Sequence, residues 1–252
     1  MSKSTDLSTL GDRLKQYELD FETTVPADNY LVIRLDGHGF SKYTKGLDKP
    51  FDDSFNLAMQ HVSQFLLSEF QACVAYTQSD EITLILQPRV VKGESHQIYG
   101  SRVQKIVSLT AGCASAVFNN VYSHPTSKRI PYFDSRVYGV PSKEEAYNSV
   151  MWRCRDAEKN SKNVFAQSYC SHKSLHKKTS QEQIDFCKES TGIDWDTISD
   201  KYKFGITSYK CSTYVEADPD NPKALPAFRN VLVSEGIDLT SFSEPLMKKL
   251  IK

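Results

Sequence analysis

The 252-residue chain has no net charge, with 31 Lys and Arg balancing 31 Asp and Glu. Bulk charge therefore argues for no particular partner, and a nucleic-acid contact would need a local basic patch. Cysteine is sparse and scattered: Cys73, Cys113, Cys154, Cys170, Cys187 and Cys211 form no CxxC pair. That argues against a zinc site of the usual spacing. The chain also lacks HExxH and GxSxG strings, so a zinc-protease or serine-hydrolase reading has no support. No apolar stretch approaches ~18 residues, so no transmembrane helix is expected. The opening MSKSTDLSTLGD has no apolar h-region, so no signal peptide is expected either. Unpaired thiols in a reducing cytoplasm are the simplest expectation. Internal repeats and low-complexity segments are missing as well. What remains is an ordinary globular composition, long enough to bury a core without covalent staples.

The hydrophobic periods give an ordered set of elements. Residues 7–19 place Leu7, Leu10, Leu14 and Tyr17 on one stripe of a short amphipathic helix. Residues 29–36 (NYLVIRLD) read as a buried strand stopped by Gly37 and Gly39. Residues 54–70 carry Phe55, Met59, Val62 and Leu66 at helical spacing. CVAYTQ and EITLILQ flank Ser79-Asp80 as a hairpin. Residues 98–119 read as a helix, and YFDSRVYGV (132–140) as a strand ending before Pro141. The order β-α-β-β-α-β predicts a ferredoxin-like α+β core, an antiparallel sheet with two helices on one face. Residues 143–168 form a long, mostly polar helical pattern, and Thr179-x-x-Glu182 is a capping box opening another helix. From about residue 206 strand-like runs mix with Pro-containing loops (ADPDNPKALP). The expected organisation is a palm-like catalytic core over 1–140 and a C-terminal extension of helices and strands over 141–252, packed on that core.

Two acidic motifs fall at the ends of neighbouring central strands. In IRLDGHGF, Asp36 ends the first strand. A carboxylate there suits a hard cation, and the glycines let backbone approach phosphate and form an anion-binding nest. An ordinary Asp-Gly turn would look the same. In QSDE, Asp80 and Glu81 sit at the hairpin between two apolar strands. Charge buried there needs a partner, which a metal would supply. Together Asp36, Asp80 and Glu81 make a candidate catalytic set of the polymerase-palm kind. Two Mg2+ ions would activate an attacking hydroxyl and stabilise the leaving pyrophosphate. Lys49, Arg102 and Lys105 are candidates for holding a triphosphate, although any one of them could be a solvated charge. Arg153, Arg155, Lys159 and Lys162 on the long helix could meet RNA phosphates. HKSLHKK (172–178) forms a second basic cluster without recognisable metal-ligand spacing.

The strings LGDRLKQYE, VIRLDGHGFSKYTKGLDKPFDD, YTQSDEITLIL, SRVQKIVSLTA, FDSRVYGVPS and WRCRDAEKNS, in order over roughly residues 5–165, resemble the tRNA-His guanylyltransferase family, above all its guanylyltransferase-like members from prokaryotes and viruses. The resemblance implies a cytoplasmic palm enzyme, assembled as a homotetramer, that adds nucleotides in the 3′–5′ direction. ATP first adenylylates a 5′-monophosphorylated tRNA end, and the 3′-hydroxyl of GTP then attacks it. It implies metal binding by Asp36, the Gly37 carbonyl and Asp80. Nucleotide contacts would come from Asp36, Gly37, His38, Gly39, Phe40 and Ser41, with Lys49, Ser79, Asp80, Arg102 and Lys105. The tRNA would meet Arg153, Asp156 and Asn160. Glu158 stands where tRNA-His-selective members carry a histidine, and DAxxNS resembles members that repair 5′-truncated tRNA. The expected activity is templated 5′-end repair. Strict tRNA-His guanylylation, a nucleotide cyclase and a catalytically silent RNA-binding palm are the competing readings.

Overall fold

The computed structural model describes residues 9–91, 94–95, 97–215 and 227–251. Leu7 and the ADPDNPKALP segment lie outside the described residues. Along the chain run α1 (Leu10–Leu19), β1 (Tyr30–Gly37), α2 (Phe40–Tyr43), α3 (Asp53–Glu69), β2 (Val74–Gln78), β3 (Glu81–Leu86), β4 (Val90–Val91) and β5 (Glu94–Ser95). Then come α4 (Val103–Val121), β6 (Phe133–Val140), α5 (Lys143–Tyr169), α6 (His172–Leu175), α7 (Ser180–Thr191), α8 (Asp200–Lys203), β7 (Ile206–Val215), β8 (Ala227–Glu235) and α9 (Glu244–Leu250).

The main sheet has the order β6-β1-β3-β2-β7-β8, and every neighbouring pair is antiparallel. Its first four strands are the split βαβ order expected from the periods, with β3 inserted between β1 and β2. Alternation divides the side chains of β1. Leu31, Ile33 and Leu35 join α3 and α4 in one core, with Met59, Val62, Leu66 and Phe118. Val74, Tyr76 and Ile85 face the other way and pack under α5 and α9, with Ala146, Val150, Cys154 and Leu250. Both faces are thus covered, which explains why β1 and β3 read as nearly unbroken apolar runs. The strand-like tail becomes the β7–β8 hairpin, which joins the same sheet at β2.

Helix α5 is the longest element. Its first half lies on the sheet. Its second half runs past the sheet edge to a smaller core with α7, built from Phe165, Ala166, Ile184, Cys187 and Trp195. The buried Trp195 donates its indole N–H to Ser161 at 2.8 Å, fastening the two. The capping box of α7 is formed as expected: Thr179 and Glu182 satisfy each other's backbone amides. All six cysteines are free thiols. Among the described residues, no helix is long and apolar enough to cross a membrane.

Candidate active site

Asp36 and Asp80 meet at one end of the sheet. Asp36 is the penultimate residue of β1 and pairs across the ladder with Glu81 of β3. Asp80 sits in the two-residue turn that joins Gln78 to Glu81, where Ser79 adopts a left-handed φ of 51°. The Gly37 amide donates to the Asp80 carbonyl at 3.1 Å, tying strand end to turn. The carboxyl of Asp80 is pushed up from 3.8 to about 6, chiefly by burial and further by the negative charge of Asp36. Among the described residues its side-chain hydrogen-bond partner is the Ser79 hydroxyl, which donates at 3.1 Å.

Gly37 is what permits this approach. A Cβ there would lie 2.9 Å from the Asp80 Cβ and 2.4 Å from the Phe40 ring. Gly37→Ala is therefore expected to spread the hairpin from the strand end. Overpacking of this kind costs about 1–3 kcal/mol. A lowered melting temperature together with weakened divalent-cation binding would show it; an unchanged cation affinity would mean that the close approach does not set the carboxylate spacing.

The rest of the glycine loop divides its labour. His38 donates its amide to the Tyr132 carbonyl at 2.9 Å and stacks its ring on Tyr132, centroids 4.9 Å apart. Gly39 takes φ 67° and turns the chain into α2, while Ser41 is exposed. Phe40 departs from the expectation of a nucleotide contact. Its ring is 1% exposed and lies against Phe55, Phe118 and Phe133, so the side chain belongs to the core. The first amides of a helix have no intrahelical acceptor, which keeps the start of α2 suited to phosphate.

Two further expectations are corrected. Glu81 does not join the other acids as a free carboxylate: it is ion-paired to Arg153 and lies 3.7 Å from Arg34. Arg153 in turn is not presented to an RNA. It is buried on α5, bonds Asp156 at 2.8 Å and stacks on Trp152 at 4.7 Å. The guanidinium is thus engaged on three sides, by Glu81, Asp156 and the Trp152 ring. The sequence reading missed Arg34 altogether, although its place two residues before Asp36 puts both on the face under α5. It lies 3.8 Å from Asp36.

A cavity of about 170 Å3 adjoins the hairpin tip and is lined by Lys49, Ser79, Asn160, Lys201 and Tyr202. Its lining brings Lys49 and Ser79 together with Asn160 from α5. Phe51 and Tyr202 stack in its wall at 4.6 Å, and Asp53 bonds both Lys201 and Tyr202. The sequence held no signal for Lys201 or Tyr202, nearly 150 positions from Asp53. Arg102 and Lys105 lie elsewhere. They stand at the start of α4, beside Val25 and the Leu31–Gly139 end of the sheet. That is about 17 Å from Asp36 at ~3.3 Å per strand residue. Arg102 is also paired with Glu22 at 3.2 Å. One chain does not bring these two cations to its own carboxylates.

The profile of the tRNAHis guanylyltransferase family matches residues 11–141, the stretch that builds β1 to β6. The chain belongs to this family of nucleotidyltransferases. Among its relatives is uncharacterized protein R259 of Acanthamoeba polyphaga mimivirus, 29% identical over 220 residues, covering 78% of this chain and 75% of that one. tRNA(His) guanylyltransferase 1 of Arabidopsis thaliana is 27% identical over 213 residues, a match that spans 78% of this chain but 36% of the plant protein. A bacterial tRNA(His) guanylyltransferase-like protein in complex with GTP is 26% identical with a TM-score of 0.75, covering 96% of this chain and 99% of that one. Such a protein in complex with ATP gives 29% and 0.74, covering 88% and 91%.

The residues present fit a divalent cation of the magnesium type. Among the described residues no three His, Cys, Asp or Glu side chains gather into a closed metal cage. Mg2+ needs none, since it takes one or two carboxylates and fills its octahedron with water and substrate phosphates. Asp36 and Asp80 supply that pair, and no protein cation faces Asp80 among the described residues.

Proposed function

We propose that the chain extends the 5′ ends of tRNA in the 3′–5′ direction, consuming ATP for 5′ adenylylation and GTP or another nucleoside triphosphate for addition. The observation that carries this reading is the apposition of Asp36 and Asp80 across Gly37, beside a cavity with lysines at its rim. Asp36, Asp80 and the Gly37 carbonyl would hold Mg2+, which supplies positive charge where phosphoryl oxygens gain negative charge. The chain's own part is positioning. Lys49 and Lys201 face a triphosphate in the cavity, the Phe51–Tyr202 stack walls it, and the start of α2 offers backbone amides. Arg153 and Arg34 neutralise Glu81, and Arg34 also lies 3.8 Å from Asp36, so Asp80 is the acid whose charge the cation would chiefly meet.

Repair of truncated ends is preferred over strict tRNA-His addition because of Glu158. That side chain is locked to Lys162 at 2.7 Å, and Lys162 lies over the Trp195 ring at 4.9 Å. A carboxylate in that pairing has no free donor to read a base edge. The homotetramer belongs to the same proposal: Leu10, Leu14 and Tyr17 of α1 are all at least half exposed, a stripe that a partner subunit would cover. The test is direct. Purified protein with Mg2+, ATP and GTP is expected to lengthen a 5′-shortened, 5′-monophosphorylated tRNA. No extension of any such RNA would overturn the proposal, and addition to tRNA-His alone would restore the strict reading.

A further inference from the structure

One face of α5 links the carboxylates to a basic pocket that the catalytic reading leaves unused. Arg153, Asn160 and Gln167 recur every seven residues, two helical turns, and so lie on one stripe. Arg153 is at Glu81, Asn160 lines the cavity beside Ser79, and Gln167 lines a second pocket of about 190 Å3. Fourteen residues of helix set the two ends about 21 Å apart. The far pocket is walled by His172, His176, Lys177, Lys178 and Gln183, over the buried Leu175. Lys173 is exposed nearby, as Lys177 is, while Lys178 is half-buried. None of the three lysines has an ion-pair partner among the described residues; Lys178 lies over the Phe186 ring at 5.2 Å. The nearby carboxylate, Glu182, is occupied by the Thr179 amide and hydroxyl in the capping box. In a chain with no net charge, segment 171–178 thus holds three lysines and no acid, and of the three Lys178 alone feels the charge of Glu182 among the interactions described.

We infer that this pocket binds a backbone phosphate of the RNA substrate, about 21 Å from the 5′ end held at the carboxylates. The inference rests on the reading of the chain as an RNA 5′-end transferase. Its consequence is a length requirement. A stacked strand advances ~3.4 Å per nucleotide, so only an RNA extending some six nucleotide steps from the reacting end reaches the pocket. The pocket then adds affinity for polynucleotide and none for free nucleotide.

The experiment compares wild type with Lys177→Gln/Lys178→Gln on two 5′-monophosphorylated ligands, a tRNA and a dinucleotide, by fluorescence anisotropy from 50 to 300 mM salt. Removing one lysine–phosphate pairing should lower the salt slope by about 1. The double variant is expected to bind tRNA about tenfold more weakly, with a slope shallower by about 1, the share of one phosphate. Its affinity for the dinucleotide and for ATP should be unchanged. Lys177→Arg/Lys178→Arg keeps the charges and should bind as wild type does, which guards against misfolding. An unchanged tRNA slope would overturn the inference. So would equal losses for tRNA and ATP, which would mark the pocket as a free-nucleotide site. Binding is read without turnover, so a chain that binds tRNA through this pocket but never extends it would sink the transferase reading alone.

Discussion

Asp80→Asn is expected to yield a protein that is more stable than wild type at pH 7.5 and nearly inactive. The carboxyl of Asp80 ionises at about 6 in the folded chain, against 3.8 for an unhindered aspartate. A group that holds its proton more tightly when folded favours the fold at low pH, and that advantage is lost as pH rises from about 4 through 6. Above pH 6 the ionised side chain is a net cost. Two pH units correspond to roughly 3 kcal/mol; solvent at the hairpin tip reduces this to about 2 kcal/mol. Asparagine keeps the shape and cannot ionise. The two proteins should melt together near pH 4 and diverge as pH rises, when melts are run in a chelator.

Function should move in the opposite direction. With one carboxylate left, the divalent cation loses much of its site, and several kcal/mol of transition-state stabilisation correspond to about a thousandfold in rate. Added Mg2+ should raise the melting temperature of wild type by mass action and leave the variant unmoved. The same carboxyl predicts that Mg2+ affinity weakens below pH 6, where Asp80 takes up its proton. An asparagine variant that gains no stability at pH 7.5, or that still answers to Mg2+, would remove Asp80 from the site. Stability given up for activity in this way is what a carboxylate pair awaiting a cation should display.

How much of this was legible before the fold follows from the range of the signals. The core order was readable because each element carries its own period, and Asp36 and Asp80 were readable because both sit at strand ends that local breakers mark. The ion pairing of Glu81 was not legible because neighbouring acids look alike in sequence. Asp80 sits in the turn, whereas Glu81 already belongs to β3 and meets a guanidinium 72 positions away. Phe40 looked like loop because the one-turn helix it opens is too short to show a period, and its burial depends on Phe118 and Phe133. Arg102 and Lys105 lie apart from the carboxylates of their own chain for a topological reason. The chain order places them near the motif strands, but α4 enters at the far end of the sheet and only its last turns come back to Phe133. The β7–β8 edge and the Lys201–Tyr202 wall depend on contacts that no local pattern encodes.

Arg153→Met is the sharper test of the corrected site, because the two assignments of that side chain predict opposite results. As a positioning group, Arg153 is nearly buried and holds Glu81 from above. Methionine preserves the apolar stem and removes the charge. Glu81 then keeps only Arg34, at 3.7 Å, and a largely buried carboxylate stripped of its main partner costs about 3 kcal/mol. At this chain length that is a fall of roughly 2–4 °C in melting temperature per kcal/mol. The uncompensated charge should also reach Asp36 and Asp80. Glu81 already acts to raise the carboxyl of Asp80, so losing its counter-charge should shift the acid limb of Mg2+ binding to higher pH. Glu81→Gln in the same chain should recover much of both losses, since the double variant no longer buries an unpaired charge. The salt dependence of tRNA binding should not change. If the slope instead falls by about 1 while the melting temperature and the pH limb stay fixed, Arg153 is a phosphate contact after all, and the long helix reads RNA at the carboxylates as well as at its far end.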